Sequence, residues 1–196
     1  MKTENEHESV DLVDGAVVRQ FARAALLAAL MGAAVVATIP YPLSPAPVTL
    51  QVLVVFLAGL YLGPLWGAAS IGLYLAAGAA GAPVFSGMTG GPGVLLSEPT
   101  AGFLWTFPIA ALVVGLVVHR GLALRDPADV PLTTVVVGLT AGLILTYAGG
   151  TSWFAWLIGT SLTEAAVAVA IPFVPADLLK MAAAIVIVRS GAIDTV

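Results

Sequence analysis

The sequence contains no cysteine. That excludes a disulfide framework, a thiolate metal site and a cysteine nucleophile. Charge is nearly as scarce. Asp, Glu, Lys and Arg together make up 9% of the 196 residues, against about 25% in an ordinary soluble domain. The two histidines, His7 and His119, lie too far apart to suggest a metal cluster. The formal net charge of −4 comes without any basic stripe, which argues against a nucleic-acid partner. No H-E-x-x-H motif and no Ser–His pair within reach of a shared loop occurs, so an enzyme is not expected. No nucleotide-binding motif occurs either, so the chain is not expected to drive transport with ATP by itself.

What the chain has is apolar residues, 60% of the total, with a mean hydropathy of +1.05. This composition predicts an all-α membrane protein. Glu4, Glu6, Glu8, Asp11 and Asp14 outnumber Lys2 at the start. Residues 1–15 are therefore expected to form a disordered acidic tail, and residues 16–196 a six-helix membrane domain. The acidic end and the lack of a small-residue cleavage site do not fit a secretory signal, so the first helix is expected to stay in the mature protein.

Six apolar segments are expected to cross, over 17–39, 49–62, 65–80, 100–119, 133–148 and 176–188. The second and third are short, which suits a thinned or protein-lined region. Pro40, Pro42, Pro45 and Pro47 forbid helix after the first segment, and Gly63-Pro64 forms a tight turn. Ser161-Leu162-Thr163-Glu164 fits a capping box that opens a half-helix, ended by Pro172 before it can cross. Six crossings put Arg19, Arg23, Arg120, Arg125 and Arg189 on one side, and the bare connections 40–48, 81–99 and 149–175 on the other. By the positive-inside rule the chain is a multi-pass protein of the cell membrane with both termini cytoplasmic. The proline- and glycine-rich connections then form an outer cap.

Beneath that cap lie Asp177 and Lys180. A spacing of three puts both on one helical face. A charge at membrane depth costs about 2.5–3.5 kcal/mol on insertion scales, so it persists where it has a partner. The partner is either a polar ligand with a donor group and an anion, or the other member of the pair in a purely structural role. Thr49, Gln51, Tyr74, Ser86, Thr89, Glu98, Thr100 and Tyr147 are placed near the same mouth. The stretch Ser86–Gly93 has no lysine and no preceding strand, so it is not a phosphate cradle; it reads as a gating loop or a plain connector. Ala24 with Ala28, and Ala25 with Ala29, form small-residue pairs that suit either docking to a separate membrane subunit or internal packing. Glu98 and Glu164 are expected to cap helices. Trp66, Trp105, Trp153 and Trp156 are expected as interface anchors, with Phe85 and Trp153 as candidates to stack on a ligand.

Taken in order, Pro47-Val48-Thr49-Leu50-Gln51, Leu62-Gly63-Pro64, Gly81-Ala82-Pro83-Val84-Phe85, Pro99-Thr100-Ala101-Gly102-Phe103 and Pro175-Ala176-Asp177-Leu178-Leu179-Lys180 resemble the BioY family over about residues 17–190. These are biotin-specific substrate-binding (S) components of energy-coupling factor (ECF) transporters. The resemblance implies high-affinity binding and uptake of biotin in a cavity near the outer surface. It also implies a transmembrane coupling protein and two ATPase subunits as partners, besides membrane lipid, and a protein that topples in the membrane to carry its ligand inward. Some members work with little or no dedicated coupling module, and a homo-oligomer is compatible with the pattern. No cofactor is implied; biotin is the transported ligand.

The family's aspartate and lysine fall on Asp177 and Lys180. The biotin-binding set expected around them is Gln51, Thr49, Phe85, Ser86, Gly90, Gly91, Thr100 and Tyr147, with Ala24, Ala25, Ala28 and Ala29 as the docking face. The family commonly has Gly-Pro-Thr-Gly-Gly-Tyr where this chain has Glu98-Pro99-Thr100-Ala101-Gly102-Phe103, which adds a carboxylate near the mouth and removes a phenol. One helical turn of about 5.4 Å is shorter than extended biotin. The pair is thus expected to serve the ureido end, with Lys180 partly paired to Asp177 and residues near 86–93 or 49–51 at the other end; the reverse pose stays open. The alternatives are an S component or facilitator for a different vitamin, and a non-transport membrane scaffold.

Overall fold

The computed structural model describes residues 14–42 and 44–191. The expected acidic tail lies outside the described residues up to position 13. Its last acid, Asp14, belongs instead to the bundle: its carboxylate accepts the Ala16 N–H at 2.8 Å and caps the first helix. The elements are α1 (Gly15–Ala33), α2 (Gln51–Ala79), α3 (Pro92–Ser97), α4 (Ala101–His119), α5 (Leu132–Ile158), α6 (Leu162–Val169), a 3-10 turn (Ile171–Phe173) and α7 (Val174–Arg189). Among the described residues, extended pairing is limited to the isolated bridges Ile39 with Val48 and Phe85 with Thr89.

The element that sets the architecture is α2. Pro64 has no N–H to continue the helical ladder, and Gly63 takes φ 71°, ψ −172°, open to glycine and costly for other residues. A straight helix would separate Gln51 from Tyr74, 23 residues on, by about 34 Å. Instead the Gln51 amide donates to the Tyr74 hydroxyl at 2.7 Å. The chain doubles back at Gly63, and the arms 51–62 and 64–79 run antiparallel. Five helical stretches are long and apolar enough to cross a membrane. Counting α2 as two arms makes six passes, with the second and third short, as expected from the sequence.

The apex of this hairpin is tied to the rest of the bundle by His119. Its Nε2–H donates to the Leu60 carbonyl at 3.0 Å, while Nδ1 accepts the Arg125 backbone N–H at 3.1 Å. At the same end, the Arg189 guanidinium donates to the carbonyls of Ala128 and Val130, joining the end of α7 to the α4–α5 connection. Arg120, Arg125 and Arg189 therefore share one end of the molecule. The open ends of the α2 hairpin, the start of α4 and the start of α7 share the other.

Two helix ends differ from the sequence reading. α1 stops at Ala33, short of 39. α5 runs to Ile158, ten residues past the expected stop, because Gly149-Gly150 acts as a close-packing site and not as a breaker. A Cβ at Gly149 would lie 2.0 Å from Thr106 Cγ2, and one at Gly150 2.3 Å from Phe103 Cδ1. The helix ends where Gly159 turns left-handed at φ 74°. Consequently most of the expected connection 149–175 is helical. The capping box stands: Ser161 Oγ accepts the Glu164 N–H at 3.2 Å, and Glu164 Oε2 accepts the Ser161 N–H at 3.0 Å.

The four alanines of α1 divide between two faces. Ala24 is 0% exposed and its carbonyl accepts the Ser70 hydroxyl at 2.8 Å; Ala28 packs on the core formed by Met31, Ile71 and their neighbours. Those two serve internal packing, which corrects their assignment to a docking face. Ala25 and Ala29 face outward with Leu26 and Leu30.

Candidate functional site

At the end of the bundle opposite Arg120, Arg125 and Arg189 the helices splay around a cavity of about 430 Å³. Its walls are apolar: Phe103, Leu104 and Phe107 from α4, Phe154 and Ile158 from α5, and Val169 from α6. The Pro45-Ala46-Pro47 loop closes one side. It is held nearby through Tyr41, whose ring meets Phe173 at 5.8 Å. A cavity of this size with few polar groups has the character of a small-molecule site.

Asp177 stands in the first turn of α7, where the amide dipoles favour an anion. It is 2% exposed and Lys180 is 7% exposed. The Lys180 ammonium donates to Asp177 Oδ1 at 2.6 Å, and the Tyr147 hydroxyl donates to Oδ2 at 2.5 Å. The pair is thus neutral overall and fixed from two helices. Lys180 keeps further N–H donors and Asp177 further lone pairs, so the cavity is offered donors and acceptors side by side.

A second polar group comes from the α2 hairpin. Thr49 Oγ1 donates to Gln51 Oε1 at 3.1 Å, and Gln51 Nε2 donates to Tyr74, which is itself buried. Phe85 is 0% exposed and meets Tyr74 edge-on at 5.6 Å. Its ring occupies the space above Gly78, where a Cβ would lie 2.1 Å from Cζ. Phe85 and Thr89 exchange backbone hydrogen bonds of 3.0 and 3.3 Å, and the Gly91 N–H reaches the Gly78 carbonyl at 2.7 Å. The glycine-rich loop is therefore fastened to the second arm of α2 and is more than a plain connector.

Of the residues singled out from sequence, Thr49, Gln51, Phe85, Ser86, Thr100, Tyr147, Asp177 and Lys180 line the cavity. Gly90 and Gly91 do not. They fasten the loop: a Cβ at Gly90 would lie 2.4 Å from the Ala82 carbonyl. Trp153 also departs from expectation. Its ring packs on Trp156 at 5.3 Å and its indole N–H donates to the Glu98 carbonyl at 2.9 Å, away from any stacking role in the cavity. Trp105 likewise donates to the Leu95 carbonyl at 2.9 Å. Among the described residues the Glu98 carboxylate caps no helix: Thr100 is the N-cap of α4, and it is the Glu98 carbonyl that accepts the Ala101 N–H at 3.0 Å. The sequence reading missed the apolar walls. The i, i+4 spacing of Phe103 and Phe107 was the available signal.

The Tyr147 hydroxyl is tested by Tyr147→Phe. Leaving Asp177 Oδ2 without its donor is expected to lower unfolding stability by about 1–3 kcal/mol, read from thermal or denaturant unfolding in detergent. In an Asp177→Asn background the same change should cost less, as expected for coupled partners. Equal costs in both backgrounds would contradict the hydrogen bond.

The family model described as "BioY family" matches residues 2–194. The chain belongs to the BioY family. Among curated BioY proteins, it is 38% identical over 151 residues to a probable biotin transporter of Pyrococcus horikoshii, an alignment covering 77% of this chain and 83% of that one. It is 35% identical over 170 residues to a biotin transporter of Thermotoga maritima, covering 87% and 94%. A crystal structure of the S-component for biotin from an ECF-type ABC transporter superposes with a TM-score of 0.79 at 24% identity, covering 91% of this chain and 93% of that one. That likeness establishes the S-component fold for this BioY chain, and the family is one of transporters, not enzymes.

Proposed function

We propose that this BioY-family protein binds biotin in the cavity and delivers it across the cell membrane as the S component of an ECF-type transporter. The observation that carries the reading is the buried Asp177–Lys180–Tyr147 group set in an apolar cavity. The two ureido N–H groups of biotin match the free lone pairs of Asp177, and its carbonyl matches the remaining N–H donors of Lys180. The bicycle suits the walls formed by Phe103, Phe107 and Phe154. The valerate tail then runs toward the rim at Ser86, Thr89 and Thr100. The names of the curated relatives support the choice of biotin among vitamins.

Arg120, Arg125 and Arg189 cluster away from the cavity, which supports an outward-facing mouth and a cytoplasmic arginine end. On this reading both termini are cytoplasmic. The coupling protein and two ATPase subunits engage from that side and along the outward face of α1, at Ala25 and Ala29, where small side chains let a partner helix approach closely. Biotin binding is tested by thermal unfolding of the purified protein against a vitamin panel. Biotin at about one hundred times its Kd stabilises by about 2.7 kcal/mol; a rise with another vitamin and none with biotin overturns the assignment. The docking face is tested by Ala25→Leu with Ala29→Leu. Biotin binding should stay within twofold while coupled uptake falls at least tenfold. Unchanged uptake would contradict the face.

A further inference from the structure

Three charged residues line the cavity: Asp177, Lys180 and Glu98. Asp177 and Lys180 neutralise one another at 2.6 Å. Glu98 has no such partner. Among the described residues its carboxylate makes no hydrogen bond or ion pair, and Lys180 is the sole cation of the lining. The cavity therefore carries a net charge of −1, contributed by Glu98.

The position of that charge follows from burial and from the backbone. Asp177 and Lys180 are buried, whereas Glu98 both lines the cavity and is exposed, so it marks where the cavity meets the outside. It is held there by its own carbonyl, which accepts from the Trp153 indole at 2.9 Å and from the Ala101 N–H at 3.0 Å. Pro45, Thr89 and Ile158 also line the cavity and are exposed, so a ligand whose polar ring sits on the buried pair sends its far end toward this rim, where Glu98 is the charged member.

We propose that Glu98 makes the pocket select for charge at the far end of its ligand. It favours ureido bicycles whose tail carboxylate is masked as an amide bearing a protonated amine over those with the free acid. The proposal rests on the biotin reading and goes beyond it by naming a second ligand class. A free carboxylate tail brings a second anion toward Glu98; an ammonium tail brings the counter-ion that the Glu98 carboxylate lacks among the described residues. At this exposed mouth the attraction of one tail and the repulsion of the other together change relative affinity by about three- to tenfold, less at high salt.

The test measures Kd for three probes: free biotin, the neutral primary amide of biotin, and the amide of biotin with 1,2-diaminoethane. Each is measured on the full-length purified protein, Glu98→Gln and Glu98→Lys. The expected result is that Glu98→Gln shifts the affinity ratio of amine probe to free biotin by about three- to tenfold toward free biotin, and Glu98→Lys shifts it further. The neutral amide should move less than twofold, and the shifts should shrink in about 0.5 M salt. A ratio that is the same in all three proteins overturns the proposal while leaving biotin binding standing. Failure of all three probes to bind the wild-type protein overturns the biotin reading and this proposal together.

Discussion

Lys180→Ala is expected to abolish biotin binding at micromolar ligand and to destabilise the fold. The ammonium is the partner of a carboxylate that is 2% exposed, and its loss leaves Asp177 with the Tyr147 hydroxyl alone. Removing one member of a buried ion pair costs about 3–5 kcal/mol. The same change removes a charged donor from the ligand; hydrogen bonds to charged groups are worth about 1.5–3 kcal/mol, or roughly ten- to 150-fold in Kd. Because the two effects arrive together, the decisive companion is Asp177→Leu with Lys180→Met. Replacing a buried pair by apolar residues of similar volume is often neutral or stabilising. The double variant is therefore expected to unfold near the wild-type midpoint and yet to show no saturable biotin binding. A non-transport scaffold, in which the pair is only structural, predicts the same stability but gives no reason for lost binding. Wild-type affinity in the double variant would remove the pair from the site.

Phe85→Ala carries the second large effect. The ring is fully buried between Gly78 and Tyr74, and it also forms part of the cavity wall. Truncating a buried Phe costs about 3–5 kcal/mol in soluble cores, part of it from the void left behind. Here the void opens between the cavity and the second arm of α2. The loop 81–99 loses the side chain that seats it, while the Gly91–Gly78 backbone bond remains. The expected readout is amide exchange at 85–91 raised by at least tenfold with the helices little changed, and biotin dissociation accelerated to a similar degree. Gly78→Ala should reproduce the loop effect, since its Cβ would lie 2.1 Å from the ring. Unaltered exchange in Phe85→Ala would show that the loop is seated by its backbone alone.

What could be read from the sequence was what the membrane makes expensive. Asp177 and Lys180 stand out in an apolar run because a buried charge needs a reason, and the arginines because connection charge follows topology. Gly63-Pro64 was legible because proline cannot continue the ladder. The capping box was legible because both its partners lie within one turn. The misreadings share one feature: each depended on a neighbour distant in sequence. Gly149-Gly150 looks like a stop until Thr106 and Phe103 are placed against it. Ala24 and Ala25 are adjacent on one helix, about 100° apart, and only the packing of α1 on α2 decides which of them is covered. Trp153 looks like a ligand platform until the Glu98 carbonyl, 55 residues away, claims its N–H. The apolar walls of the cavity were hidden for a different reason. Phe107 or Phe154 in a chain that is 60% hydrophobic carries no contrast with its surroundings.

A structure of the protein with biotin bound tests the assignment of the site most directly. The account predicts ligand density filling the space between α2, α4, α5 and α7, with the ureido ring within hydrogen-bond distance of both Asp177 and Lys180 and the tail directed to the rim at Glu98. Biotin bound elsewhere, or bound in the cavity with neither Asp177 nor Lys180 in contact, would contradict it.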